Sequence, residues 1–421
     1  MASDEKKTKK SSGAEGSSVP KLPNGDSIRL GKEADGLRKG ALGVGIVALA
    51  GAVVLGGGPY GKQFQHSYLT AYMWGLSIAV GAVWWVTVQH LFGARWSIVV
   101  RRVGELLAQL VVVMAVLALP LLIPIFVGND VLYPWAEHHY FEHHAYIASK
   151  APWFSPAFFA GRMVFYFGFW VLLAKYFLGQ SRRQDTTSGD VALTKKLQSI
   201  SAPGMILFAV SVTFCAIDFL MTLDPVWFST IFGVYYFATC VLTFNSTLAL
   251  SLMWLQSRGH LKSSVTAEHY HDIGKMMFAF TCFWTYIGFS QFMLIWYANI
   301  PEETHWFNDR FFGSWLNATY FLSVAHFFIP FFGMMSRWMK RNTGRLRFWA
   351  LYILAICWFD MYWLVAPNLH KDGVALTAAD FLAWIGIAGI LVSSALTRAR
   401  DVNLVPTGDP RLTKSLAFEN I

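Results

Sequence analysis

Residues 98–127 read IVVRRVGELLAQLVVVMAVLALPLLIPIFV, and after Glu105 no charged residue occurs for 24 positions. A helix rises 1.5 Å per residue, so this run extends well beyond the ~30 Å of a bilayer's hydrocarbon core. It is apolar on every side, and a helix with no polar face has no side to turn to water. Nine further segments share this character, giving ten in all, near 40–58, 68–92, 98–127, 157–179, 202–222, 229–255, 273–298, 312–337, 346–366 and 378–397. The fold class expected is an all-α membrane protein of about ten transmembrane helices.

Composition agrees. Of 421 residues, 55% are hydrophobic and 14% charged, against about 25% charged in soluble domains. Aromatic residues make up 16%, with 18 Trp, as suits interfacial belts and packed bundles. The net charge of +9 is not spread as a nucleic-acid-binding face would be, because runs of about twenty apolar residues interrupt it. It sits instead in the first 39 residues and in alternate connections. One set of connections, with both tails, holds 27 Lys and Arg; the opposite set holds four, Lys62, Lys150, Arg310 and Lys371. Positive charge stays on the cytoplasmic side, so both termini are expected there. The even number of segments agrees.

The chain divides into a disordered basic tail (1–39), a first transmembrane helix and outer loop (40–67), two units at 68–228 and 229–367, a last helix (368–398) and a C-tail (399–421). The two units look like copies. CAIDFLMTLDP from Cys215 and CWFDMYWLVAP from Cys357 place Cys, Asp and Pro at the same offsets. WFSPAFFAG from Trp153 matches WFNDRFFGS from Trp306, and VGELLA from Val103 matches IGKMMF from Ile273. Three matches in one order predict two parallel four-helix bundles, with the first and last segments added outside them. The outer loops 128–156 and 299–311 are acidic, His-rich and aromatic, and suit either a docking surface for a partner outside the membrane or a simple interfacial helix.

Charges at membrane depth cost at least ~2.5–3.5 kcal/mol on insertion scales, which makes each a functional candidate. Asp218 and Asp360 are repeat equivalents, and with Arg162 they are expected to form an outer polar cluster with a functional role; the alternative is a structural ion pair that locks two helices. Glu105 and Lys275 also occupy equivalent places, and His326 lies deepest. A chain of Glu105, Lys275, His326, Asp218 and Asp360 has the residue types of a proton relay. For His90, Lys175 and Lys275 the competing reading is side chains that snorkel to the interface. The four cysteines, Cys215, Cys240, Cys282 and Cys357, show no metal, iron–sulfur or haem-attachment spacing, and His326 is alone at depth, so no metal or haem is expected on this chain. No catalytic residue can be named.

TLDPVWFSTIFGVYYFA (222–238) and FWTYIGFSQFMLIWYANIPEETHWF (283–307) carry a resemblance. With ten spans in two bundles, they resemble the polysulfide-reductase (NrfD-like) membrane subunits, and within that family the second large integral subunit of bacterial alternative complex III, a quinol:cytochrome c oxidoreductase. The likeness covers roughly residues 40–398, and WYANIPEET (296–304) is its most specific part. It implies a respiratory subunit of the bacterial inner membrane, without a cofactor of its own, acting on menaquinol or ubiquinol. The implied partners are a paralogous NrfD-like subunit, an extracytoplasmic iron–sulfur subunit, multihaem and monohaem cytochrome c subunits with their iron–sulfur clusters and c-type haems, and in some assemblies a terminal oxidase. Lipid surrounds it, and no nucleic acid is expected. The resemblance further implies a quinol site near the outer face, at the depth of Arg162, Asp218 and Asp360, and proton half-channels onto which Glu105, Lys275 and His326 map. Two other readings remain open at this level: a secondary transporter with duplicated bundles, and a purely structural membrane anchor.

Overall fold

The computed structural model describes residues 22, 25–137, 139–187 and 189–419. Among them are ten helices long and apolar enough to cross a bilayer, and no strand. We label these spans α1 (Asp35–Leu55), α2 (Lys62–Leu91), α3 (Ile98–Phe126), α4 (Pro156–Thr187), α5 (Val191–Leu223), α6 (Phe232–Ser257), α7 (Ala267–Ala298), α8 (Gly313–Met334), α9 (Thr343–Asn368) and α10 (Ala378–Ala399). The protein is an all-α, multi-pass membrane protein. Several helices start earlier or end later than hydropathy predicts. Hydropathy stops reading at the first charges, whereas α5 continues through Lys195 and Lys196 because Leu193 and Leu197 on its other side are buried.

Two groups of four helices share one neighbour pattern. In the first, α2 packs on α3 and α5, and α4 bridges α3 and α5; in the second, α6 packs on α7 and α9, and α8 bridges α7 and α9. The groups meet along α2 and α6, flanked by α5 against α6 and by α9 against α2, which maps each group onto the other. At this central crossing Gly81 lies so close to α6 that a Cβ would sit 2.0 Å from the carbonyl oxygen of Cys240. Without a hydrophobic drive between helices in lipid, such close backbone approach supplies the packing. Outside the bundles α1 and α10 pair along their length, where a Cβ on Gly389 would meet the Ala41 carbonyl at 2.6 Å.

The described parts of both tails lie on one face, called here the terminal face. The described part of the N-tail differs from the disordered segment expected through residue 39. Ile28 and Leu30 are buried, the Leu404 N–H donates to the Ile28 carbonyl at 2.7 Å, and α1 already begins at Asp35. Asp26 takes hydrogen bonds from Ser263 and Ser264 of the α6–α7 connection, which hold its carboxyl below its usual range against the opposing effect of burial. Residues up to 21 lie outside the described part. A scatter of Ser, Gly and Lys hid the few apolar residues that anchor the segment.

The C-tail is likewise packed. Val402, Leu404 and Val405 are buried, and Ser415 accepts from the Val99 N–H and donates to the Trp96 carbonyl. On the opposite face the connection at 299–311 forms a helix, Pro301–Phe311, which turns Trp306, Phe307 and Arg310 inward.

Candidate functional site

The repeat-equivalent aspartates sit in unlike surroundings. Asp218 ends the long α5 helix and is fully buried. Arg162 of α4 holds it with two parallel bonds, Nε to Oδ2 and Nη2 to Oδ1, each 2.8 Å. Tyr166, one turn further along α4, donates to Oδ2 at 2.9 Å, and the Trp153 indole donates to Oδ1 at 3.2 Å. The third guanidinium nitrogen donates to the Trp153 carbonyl, and the Arg162 guanidinium lies 4.0 Å from the Trp153 ring. A fork-to-fork pair with every strong site occupied is a lock between α4 and α5.

Asp360 of α9 is also fully buried, yet it does not join that cluster. Its donors come from its own, second bundle: the Tyr235 hydroxyl at 2.5 Å to Oδ1, and Thr239 and the Trp284 indole at 3.2 Å to Oδ2. Tyr235 and Thr239 are one turn apart on α6, which aims both hydroxyls at one carboxyl group. No cation is among these partners. Both aspartates lie buried towards the ends of α5 and α9, but α4 supplies an arginine at Arg162 where the aligned residue of α8 is Trp315.

His326 connects to this group through stacking. Its ring lies on the Trp284 indole with centroids 3.7 Å apart and planes 20° apart. Nε2 is 3.6 Å from the Cys357 sulfur, and the buried Nδ1 has no partner among the described residues. The residue lies in a π-helical turn, Val324–Phe328, inside α8. Pro330 causes it: proline has no N–H to give to the His326 carbonyl four residues back. The Tyr352 hydroxyl bonds the neighbouring Ala325 carbonyl at 2.6 Å, which steadies the wide turn. Such turns recur at functional sites.

Beside Asp360 opens a cavity of about 680 Å³, lined by aromatic side chains of α6–α9, with Tyr235 and Trp284 on the wall towards the carboxyl group and Gln291 and Thr319 as polar points. Near its end Arg310 is buried, with no carboxylate partner among the described residues. It spans the Trp306 ring at 3.5 Å and donates to the carbonyls of Trp306 and Leu364. Its Nε is unpartnered, and burial pushes the group down to about 9.

The remaining candidates separate. Glu105 is buried on the terminal-face side of the first bundle, between Arg101 Nε at 3.1 Å and Arg102 Nε at 3.0 Å. His90 does not snorkel; it is buried, stacked on Phe177, with Nε2 3.8 Å from Glu105. Arg101 also binds Asp409 at 2.8 Å, and Asp409 binds Arg411. Burial disfavours the charged form of Asp409, but Arg411 and Arg101 outweigh this and hold its carboxyl well below the ordinary range. Lys275, the repeat equivalent of Glu105, is half exposed and pairs with Asp272 three residues back. Lys175 is exposed. The two repeats therefore share the position but not the chemistry. Residue-by-residue reading missed Tyr235, Trp284 and Arg310. The first two lay within the stretches that carry the family resemblance, and the third was counted only for its charge.

The connections on the opposite face form a polar cup of about 570 Å³ lined by Lys62, His66, Asp130, Asp224, His305 and Asp309, where His305 and Asp224 lie 2.6 Å apart. Among the described residues no three His, Cys, Asp or Glu side chains converge as a metal site. Compared with known proteins, the chain matches no family model and no curated protein.

Proposed function

We propose that this chain is a cofactor-free membrane subunit of a quinol-oxidising respiratory complex of the alternative complex III type, and that its second bundle handles the protons of quinol. The observation that carries the reading is Asp360: a fully buried carboxyl group, partnered by the hydroxyls of Tyr235 and Thr239 and by the Trp284 indole, with no cation, against an aromatic cavity. Burying a charge without a counter-charge is costly, so such a carboxyl group is suited to take a proton and pass it on. Quinol oxidation releases two protons and two electrons. A quinol ring stacked among Trp284, Trp306 and Trp363 brings a hydroxyl to Tyr235, which relays the proton to Asp360. The electrons leave for iron–sulfur clusters and c-type haems in extracytoplasmic partner subunits that dock on the loop face. On this reading both termini are cytoplasmic and the membrane is the bacterial inner membrane.

Helix irregularity favours this over a transporter. Transporter repeats break their helices at matching places in the two halves. Here the π turn of α8 has no counterpart in the continuous α4, and the interruptions of α3 at Gln109 and Ala118 have none in α7. Asp360→Asn in the native membrane is the test. The expected result is an assembled complex with lower quinol-dependent electron transfer or fewer protons released per electron. Unchanged turnover together with unchanged proton yield contradicts the proposal.

A further inference from the structure

A second cavity, of about 340 Å³, lies at the junction where α10 meets both bundles. Its wall is almost wholly apolar: Trp74 and Ile78 of α2, Leu106 and Leu110 of α3, Trp254 of α6 and Leu391 of α10 are among its residues. Along α10 it runs from Ala388 to Ala399, eleven steps of 1.5 Å, or about 16 Å. One leaflet of hydrocarbon is about 15 Å deep. The cavity therefore has the depth of one leaflet, with Leu30 and Leu404 lining its terminal-face end, while Leu37 and Val392, also in its wall, are exposed.

Apolar walls select nothing in a bilayer, because lipid tails are as apolar as leucine. Selection has to come from the head group, and the terminal-face end of the cavity supplies a cation for it. Arg398 follows Ala395 by three residues and Leu391 by seven, which places it beside the lining stripe of α10, and it is half-buried. Arg38 and Arg400 nearby are engaged with Asp35, at 3.2 and 3.8 Å, and Arg29 donates to Asn403. Among the described residues Arg398 has no carboxylate partner.

We propose that this cavity holds one acyl chain of an anionic phospholipid from the leaflet on the terminal face, with its phosphate on Arg398. The bound lipid wedges α10, and with it α1, against the two bundles. This site is separate from the Asp360 cavity and stands whether or not quinol binds there.

The test is native mass spectrometry of the purified protein titrated with dioleoylphosphatidylglycerol and, separately, dioleoylphosphatidylcholine. One tightly retained phosphatidylglycerol is expected, preferred about fivefold, as one interfacial basic residue supplies. Arg398→Gln removes the preference and keeps retention of either lipid. Ala395→Phe fills the cavity and removes retention of both. If Ala395→Phe does not fold, phosphatidylglycerol carrying a photoreactive acyl chain decides on the native protein: crosslinks fall on Leu391, Ala395 and Leu106. Equal retention of the two lipids by the native protein, undiminished retention in Ala395→Phe, crosslinks elsewhere, or a quinone recovered from the cavity instead of phospholipid each overturn the proposal.

Discussion

Replacing Arg162 by Leu leaves Asp218 buried with Tyr166 and Trp153 as its remaining donors. The lost interactions are two bonds of 2.8 Å between groups 8% and 0% exposed, so solvent does not screen them. Breaking a buried pair from one side costs about 3–5 kcal/mol, mostly for the charge left behind. At 1.4 kcal/mol per factor of ten, that lowers the folded population relative to the unfolded by roughly two to three and a half decades. Asp218→Asn strands the Arg162 cation and costs a similar amount. The double variant Arg162→Gln/Asp218→Asn buries no charge, so it recovers a substantial part of either loss. Asp360→Asn differs: no cation is stranded, and the cost stays near that of an altered neutral hydrogen bond, about 1 kcal/mol. Reversible denaturant unfolding in mixed micelles, read by near-UV circular dichroism, measures all four. Arg162→Leu within about 1 kcal/mol of the native protein refutes the reasoning, as does Asp360→Asn proving as costly as Asp218→Asn.

Tyr235→Phe removes the 2.5 Å bond to Asp360 and should slow quinol-dependent turnover about tenfold or more, with the complex still assembled; native turnover excludes the hydroxyl from the relay. Gly81→Ala puts a Cβ against the Cys240 carbonyl and should cost about 1–3 kcal/mol, measured by the same unfolding assay; an unaltered midpoint shows that α2 and α6 are not tightly apposed. The Asp409 latch has a pH signature. Its carboxyl group is depressed in the folded state, so the stability it adds is full above the ordinary value of 3.8 and is lost only as pH falls through the lower folded value. Limited pepsin cleavage in the C-tail should accordingly stay slow just below pH 3.8 and quicken at more acid pH, whereas Asp409→Asn should be cut quickly throughout; equal rates at every pH remove the latch.

The spans were legible because their signal is long and one-dimensional: twenty or so apolar residues in a row leave few other structures. The duplication was legible in matched offsets such as Cys215 to Asp218 and Cys357 to Asp360, and the shared neighbour pattern of the two bundles agrees with it. Site chemistry was less so, because it depends on which helix faces which. Nothing near Asp360 in the chain says that α6 will present Tyr235 and Thr239 to it, 125 and 121 residues away. His90 was misplaced for a related reason. Depth along a helix can be counted from sequence, but rotation about its axis cannot, and rotation decides between a snorkelling cation and a buried partner of Glu105. The N-tail was misread because burial there comes from a handful of residues such as Ile28 and Leu30, with no period to detect.

The central claim is membership of a quinol-oxidising assembly, and gentle purification of the tagged chain from its native membrane tests it most directly. The account predicts stoichiometric recovery of iron–sulfur and multihaem cytochrome c subunits together with a second large helical membrane subunit. A chain recovered alone or only as a homo-oligomer, with no haem absorbance in the preparation, would contradict it.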